Sequence, residues 1–258
     1  MLAAAAAALL CVCVCGLGAP GLRPRAVVVN AATGLGATIF EVAQPGALVE
    51  AWMEEDASKG EGTTDPFGAV VWPGAVVACR VLQEFAGRVA GRTVLVLGAG
   101  TGLEAIVSAQ LGARLVVATD NNALALDLVR AAAAHASDAV DRAVETRHFD
   151  LFSGAALPRC DVLVCSDMMY DGVLATQLGR RCAEALAQTP PPLVVVTDSQ
   201  RYGHSDVFLA QIGAQPGAAW RDVKVDGFTG SGLLVDADQT YDSTTRLLVL
   251  GGNRRPAD

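Results

Sequence analysis

Four runs of this 258-residue chain are apolar at successive positions: "VLVL" (94–97), "LVVA" (115–118), "VLVC" (162–165) and "LVVVT" (193–197). A strand points alternate side chains to opposite faces. Runs without a polar alternate therefore belong to a sheet covered on both sides, which is a parallel sheet flanked by helices. The sequence between the runs supplies those helices: "GLEAIVSAQLGA" after the first, "NALALDLVRAAAAHA" after the second, "GVLATQLGRRCAEALAQ" after the third, and a further one around "SDVFLAQIGA". "VETRHFD" (144–150) reads as another strand. "WRDVKVDGF" and "TTRLLVLGG" alternate or run short with no helix between them, and suggest an antiparallel pair closing the sheet. The expected fold class is α/β: a seven-stranded, mostly parallel sheet with a C-terminal antiparallel hairpin and helices on both faces.

Hydrophobic residues make up 52% of the chain and charged residues 18%, a globular balance. The net charge of −8 argues against a general nucleic-acid binder, which needs a basic face. The N-terminus stands apart. Residues 2–15 are an unbroken apolar run, no acidic residue precedes Glu41, and Arg23 and Arg25 are the charged side chains there. Residues 1–36 are expected to be a targeting segment or disordered leader, leaving 37–258 as the domain. The apolar run suits a secretory or plastid leader and the lack of acids suits a mitochondrial one. The expected location is an organelle, or the cytoplasm if the leader does not function. The run is short for a membrane span, which needs about 20 residues, and no span is expected in the mature domain. Of seven cysteines, Cys79, Cys160, Cys165 and Cys182 lie beyond the leader. They have no metal-ligand spacing, so neither a metal site nor a disulfide framework is expected.

The stretch "TVLVLGAGTGLEAI" (93–106) is strand, glycine loop and helix. A dinucleotide loop wants G-x-G-x-x-G. Here Gly98, Gly100 and Gly102 follow G-x-G-x-G, and position 103 is Leu. This spacing brings bare backbone to a ligand and suits an adenosyl ribose or a carboxylate better than a pyrophosphate. Eighteen residues beyond Gly102, Asp120 ends the next strand, where a carboxylate can accept both ribose hydroxyls or cap the following helix, a task Asn121 and Asn122 can share. Asp150 ends the third strand and could accept from an adenine amino group, with Leu151 or Phe152 against the ring.

This order of elements resembles the seven-stranded, Rossmann-like S-adenosylmethionine-dependent methyltransferases. "DPFGAVVWPGAVVACRVL" (65–82) resembles the segment before the glycine loop in the family-16 group of protein-lysine methyltransferases, and "SDMMYD" (166–171) matches that group's acidic-x-x-aromatic signature. "DSQRYGHSDVFLAQI" resembles its electron transfer flavoprotein β-subunit branch. The resemblance covers roughly residues 60–250. It implies a protein-lysine N-methyltransferase using S-adenosylmethionine, acting as a monomer on a protein substrate. It places Trp72, Gly98, Ala99, Gly100, Gly102, Asp120, Asn121, Asp150, Leu151 and Ser166 around the cofactor, and Asp167 and Tyr170 at the substrate. Asp167 would receive and orient the incoming ammonium, and Tyr170 would stack on the lysine stem or cation. "DMMYD" also reads as a strand-end cap with a core tyrosine, and Trp72 as a packing residue. Gly74 is expected only to turn the chain into a helix. One departure stands out. The family usually carries an acid two places before the first glycine, anchoring the methionine end of the cofactor; here that residue is Val96. A methyltransferase acting on a small molecule or on another side chain, and a non-catalytic S-adenosylmethionine-binding relative, remain alternatives on the same fold.

Overall fold

A computed structural model describes residues 21–50, 66–199, 202–237 and 239–251. An antiparallel hairpin, β1 (Leu22–Asn30) and β2 (Leu35–Val42), comes first. A short 3-10 turn at Pro66–Ala69 leads into α1 (Pro73–Glu84) and α2 (Ala86–Val89). Then follow β3 (Thr93–Leu97), α3 (Leu103–Gln110), β4 (Leu115–Asp120), α4 (Ala123–Ala136), α5 (Asp138–Ala143) and β5 (Val144–His148). The second half holds β6 (Val162–Ser166), α6 (Gly172–Leu186), β7 (Leu193–Asp198), α7 (Ser205–Ile212), β8 (Arg221–Thr229) and β9 (Thr240–Leu250).

The main sheet has seven strands in the order β5-β4-β3-β6-β7-β9-β8. β3 to β7 are parallel, and β9 and β8 are antiparallel to their neighbours, as the sequence pattern predicts. Alternation along β3 feeds two cores. Val94 and Val96 join the core under α1 and α3; Leu95 and Leu97 join the one under α6 and α7. From β3 the chain moves outward to β4 and β5, then returns to place β6 on the other side of β3. Such a reversal opens a crevice beyond the carboxyl ends of the strands. No described helix is long and apolar enough to cross a membrane.

The N-terminal boundary differs from the expectation. A domain starting at residue 37 would cut through the hairpin, whose Val27, Val29 and Ile39 are buried in the α1-side core. Arg23 and Arg25 both pair with Glu41, at 2.9 and 3.0 Å. Glu41 is completely buried and also accepts the Val71 amide and the Ser231 hydroxyl, each at 2.9 Å. The two arginines that gave the presumed leader its charge thus have a structural task. The remaining part of the leader reading, residues 1–20, lies outside the described residues. The pattern "AVVVNAATGLGATIFE", two β-rich runs around a turn sequence, carried the missed signal. Removing one partner from a buried ionic cluster strands the rest. Glu41→Ala is therefore expected to destabilise the protein by about 3–5 kcal/mol in urea unfolding, and to expose the hairpin to limited proteolysis before the main sheet.

Candidate functional site

One cleft of about 900 Å³, including its mouth, lies where the crevice was expected. It is walled by the glycine loop, by the ends of β4, β5 and β6, and by residues 67–72 entering α1. All the residues expected at cofactor and substrate line it except Gly102.

Gly98, Gly100 and Gly102 all have positive φ (62°, 50° and 83°). Gly102 is the N-cap of α3, and a Cβ there would come within 2.9 Å of Val129 on α4. Its bareness serves helix packing, a task that the dinucleotide pattern assigns to a third glycine. The ligand-facing part of the loop is Gly98–Gly100. Asp120, 9% exposed, accepts the Gly100 amide at 3.0 Å and the Asn122 amide at 2.9 Å. It braces the loop, while Asn122 caps α4 by accepting the Leu124 amide. The capping of the following helix thus falls to Asn122, one of the two residues expected to share it. Burial raises the Asp120 carboxyl's pKa, against the pull of the Asn122, Gly100 and Asn121 amides and of His148. Asn121 is exposed at the rim. Asp150 Oδ1 accepts the Phe152 amide at 2.8 Å. Leu151 is buried and Phe152 is 55% exposed, so Leu151 offers the sheltered surface.

On the opposite wall, Tyr170 packs on Phe67 with ring centroids 5.1 Å apart, and Trp72 donates its indole N–H to the Phe67 carbonyl at 2.8 Å. The three rings form one aromatic patch beside the loop.

Asp167, expected to receive the substrate ammonium, is tied to the backbone on both oxygens. It is 5% exposed and left-handed (φ 56°). Its Oδ2 accepts the Gly74 amide at 2.7 Å and its Oδ1 the Ser199 amide at 2.6 Å. Both oxygens are engaged with backbone, so the capping reading of "DMMYD" describes its contacts. Gly74 is also more than a turn residue, because a Cβ there would strike Asp167 and Thr197.

The sequence reading missed Glu104. It lies in the first turn of α3, is 5% exposed and lines the cleft. Burial lifts its carboxyl to about 7; the Ser166 hydroxyl opposes the rise and Asp167 adds to it. Ser166 Oγ is itself buried beside that carboxyl and makes no other hydrogen bond among the described residues. An acid inside the apolar run "GLEAIV" was the available signal.

The family model described as lysine methyltransferase matches residues 54–215. The chain belongs to the lysine methyltransferase family. It is 48% identical over 58 residues to the mouse protein-lysine methyltransferase METTL21E, covering 22% of this chain and 23% of that one. It is 33% identical over 115 residues to the zebrafish electron transfer flavoprotein beta subunit lysine methyltransferase, covering 44% of this chain and 43% of that one. The matches therefore span less than half the length of these relatives. In fold it is similar to the Thermus thermophilus 16S rRNA methyltransferase RsmC, solved with AdoMet and guanosine. The TM-score is 0.50 at 15% identity, over 90% of this chain and 52% of that one.

Two outcomes follow from the buried acids. Folding raises the Glu104 pKa from 4.5 to about 7, so the native state binds more protons between those values and its stability falls as pH rises through them. The Glu104→Gln variant should lack that slope. The difference in unfolding free energy between variant and parent should grow by roughly 3 kcal/mol across the window. Asp167→Ala, which strands the buried Gly74 amide and the half-buried Ser199 amide, should lose about 2–4 kcal/mol in denaturant titration.

Proposed function

We propose that this protein transfers a methyl group from S-adenosylmethionine to a lysine side chain of a protein substrate, acting as a monomer. The observation that carries the reading is a single cleft that joins a buried strand-end carboxylate, Asp120, to the Phe67–Tyr170 aromatic wall across a glycine loop. The cofactor supplies an electrophilic methyl on a sulfonium sulfur. Asp120 would take the ribose hydroxyls on its remaining lone pairs. Gly98–Gly100 would let the adenosyl group approach the backbone, and Asp150 with Leu151 would hold the adenine.

The chain's task is then to bring a neutral amine in line with the methyl, because positioning carries much of such a displacement. Lysine's ordinary pKa of about 10.4 leaves the amine protonated at neutral pH. Tyr170 and Phe67 would attract the cation over their ring faces and exclude water, and loss of water favours the neutral amine. Asp167, fixed by Gly74 and Ser199, would orient the amine hydrogens while holding the loop.

The zebrafish relative's name makes the electron transfer flavoprotein β subunit the first substrate to test. The net charge of −8 favours a basic segment around the target lysine. The proposed organellar location rests on residues 1–20; their fusion to a fluorescent protein should give an organellar signal, and a diffuse cytosolic one would overturn it.

Adenosylhomocysteine should raise the melting temperature and NADH should not; at about 100 times its dissociation constant a ligand stabilises by about 2.7 kcal/mol. Asp120→Ala should weaken adenosylhomocysteine at least about tenfold, near 1.4 kcal/mol. Labelled methyl should appear on lysine of the flavoprotein subunit, more slowly at high salt. Label found only in small molecules would reverse the substrate assignment. Binding without transfer to any protein would make this a binding-only relative.

A further inference from the structure

We propose that Glu104 is the anchor for the α-ammonium of the methionine end of the ligand, in place of the acid that Val96 leaves absent. This rests on the S-adenosylmethionine reading above. The order of groups across the strand ends carries the argument. Asp150 follows β5, Asp120 ends β4, the glycine loop follows β3, and Ser166 ends β6 with Asp167 next to it. A ligand with adenine at Asp150 and ribose at Asp120 must extend its other end past the loop toward β6. There it meets Glu104 and, beside it, the buried Ser166 hydroxyl.

The surroundings of Glu104 call for a cation. The groups facing it are Asp167 from the β6–α6 loop, Ser166 and Cys165 on β6, and Cys79 on α1. None is basic, and Glu104 forms no ion pair among the described residues. A buried carboxylate beside a second carboxylate is costly unless a positive charge joins them. The described residues supply none, and an amino acid's ammonium brings one together with hydrogen-bond donors for Glu104 and Ser166. Val96 belongs to the core beneath α1, and α3, which carries Glu104, packs on that same helix from the other end of the loop.

The test is calorimetric titration of the full chain with adenosylhomocysteine and with 5′-methylthioadenosine, which keeps the adenosine and thioether but lacks the amino acid end. Glu104→Gln should weaken adenosylhomocysteine at least about tenfold and change methylthioadenosine by less than about twofold. The second ligand also reports that the variant is folded. In the parent protein, adenosylhomocysteine should bind more weakly at about pH 6 than at about pH 8, as Glu104 gains its proton. Methylthioadenosine, and either ligand on the variant, should show no such change. Equal weakening of both ligands by Glu104→Gln, or of neither, overturns the proposal while leaving the cofactor reading intact. Failure of the parent to bind either ligand overturns both.

Discussion

The Asp167 carboxylate is the clasp on which the site depends. Helix α1 begins without a conventional cap: the Trp72 side chain does not accept from the helix's first amides, and Pro73 has no amide hydrogen. The next amide, Gly74, is taken by Asp167 from 93 residues away. The same carboxylate takes Ser199 beyond β7, and Thr197 closes the ring by donating to the Gly74 carbonyl at 3.0 Å. A negative charge at a helix N-terminus is favourable, and these bonds repay the left-handed backbone of a non-glycine residue. Three segments, one from before the sheet and two from its centre, are held in one place.

The second anchor acts on the same segment from the other side. Glu41, buried in the hairpin, holds the Val71 amide, and Asp167 holds Gly74. The four residues from Val71 to Gly74 are therefore pinned at both ends, and they carry Trp72, whose indole fixes the Phe67 carbonyl. Through that chain the N-terminal hairpin, far from the strand ends in sequence, sets where the Phe67–Tyr170 wall stands. A hairpin that looks like an appendage to the methyltransferase sheet is thus part of the site's support.

The parallel sheet was legible because its strands bury both faces, leaving apolar runs that no other arrangement tolerates. The strand-end acids Asp120 and Asp150 were legible because a loop and a following helix fix where strands end. The hairpin was hidden by its neighbours: residues 2–15 look like a leader, and that reading absorbed Arg23 and Arg25, whose partner Glu41 lies beyond the expected boundary. Asp167's engagement was not legible either. Its partners, Gly74 and Ser199, are backbone amides from distant segments, and a backbone amide leaves no mark in sequence. Glu104 was visible but uninterpreted, since helical periodicity makes an acid in a first turn look like ordinary dipole compensation.

That ordinary role clarifies why an acid at 104 can serve where one at 96 is missing. A carboxylate at position 96 would sit on a central strand between Ala118 of β4 and Val164 of β6, its charge met only by the loop and the ligand. At position 104 it lies in the first turn of α3, where its own backbone N–H lowers the carboxyl's pKa against the larger pull of burial. The apolar Val96 then packs with α1, and no charge interrupts the sheet centre. The cost of this placement is proximity to Asp167, whose charge pushes the Glu104 carboxyl further upward. Two acids near one another, one engaged by two backbone amides and one lifted to about 7 by burial, leave this end of the cleft short of positive charge among the described residues. A ligand that carries an ammonium at that end relieves both at once, so the charge deficit is a means of selecting what enters.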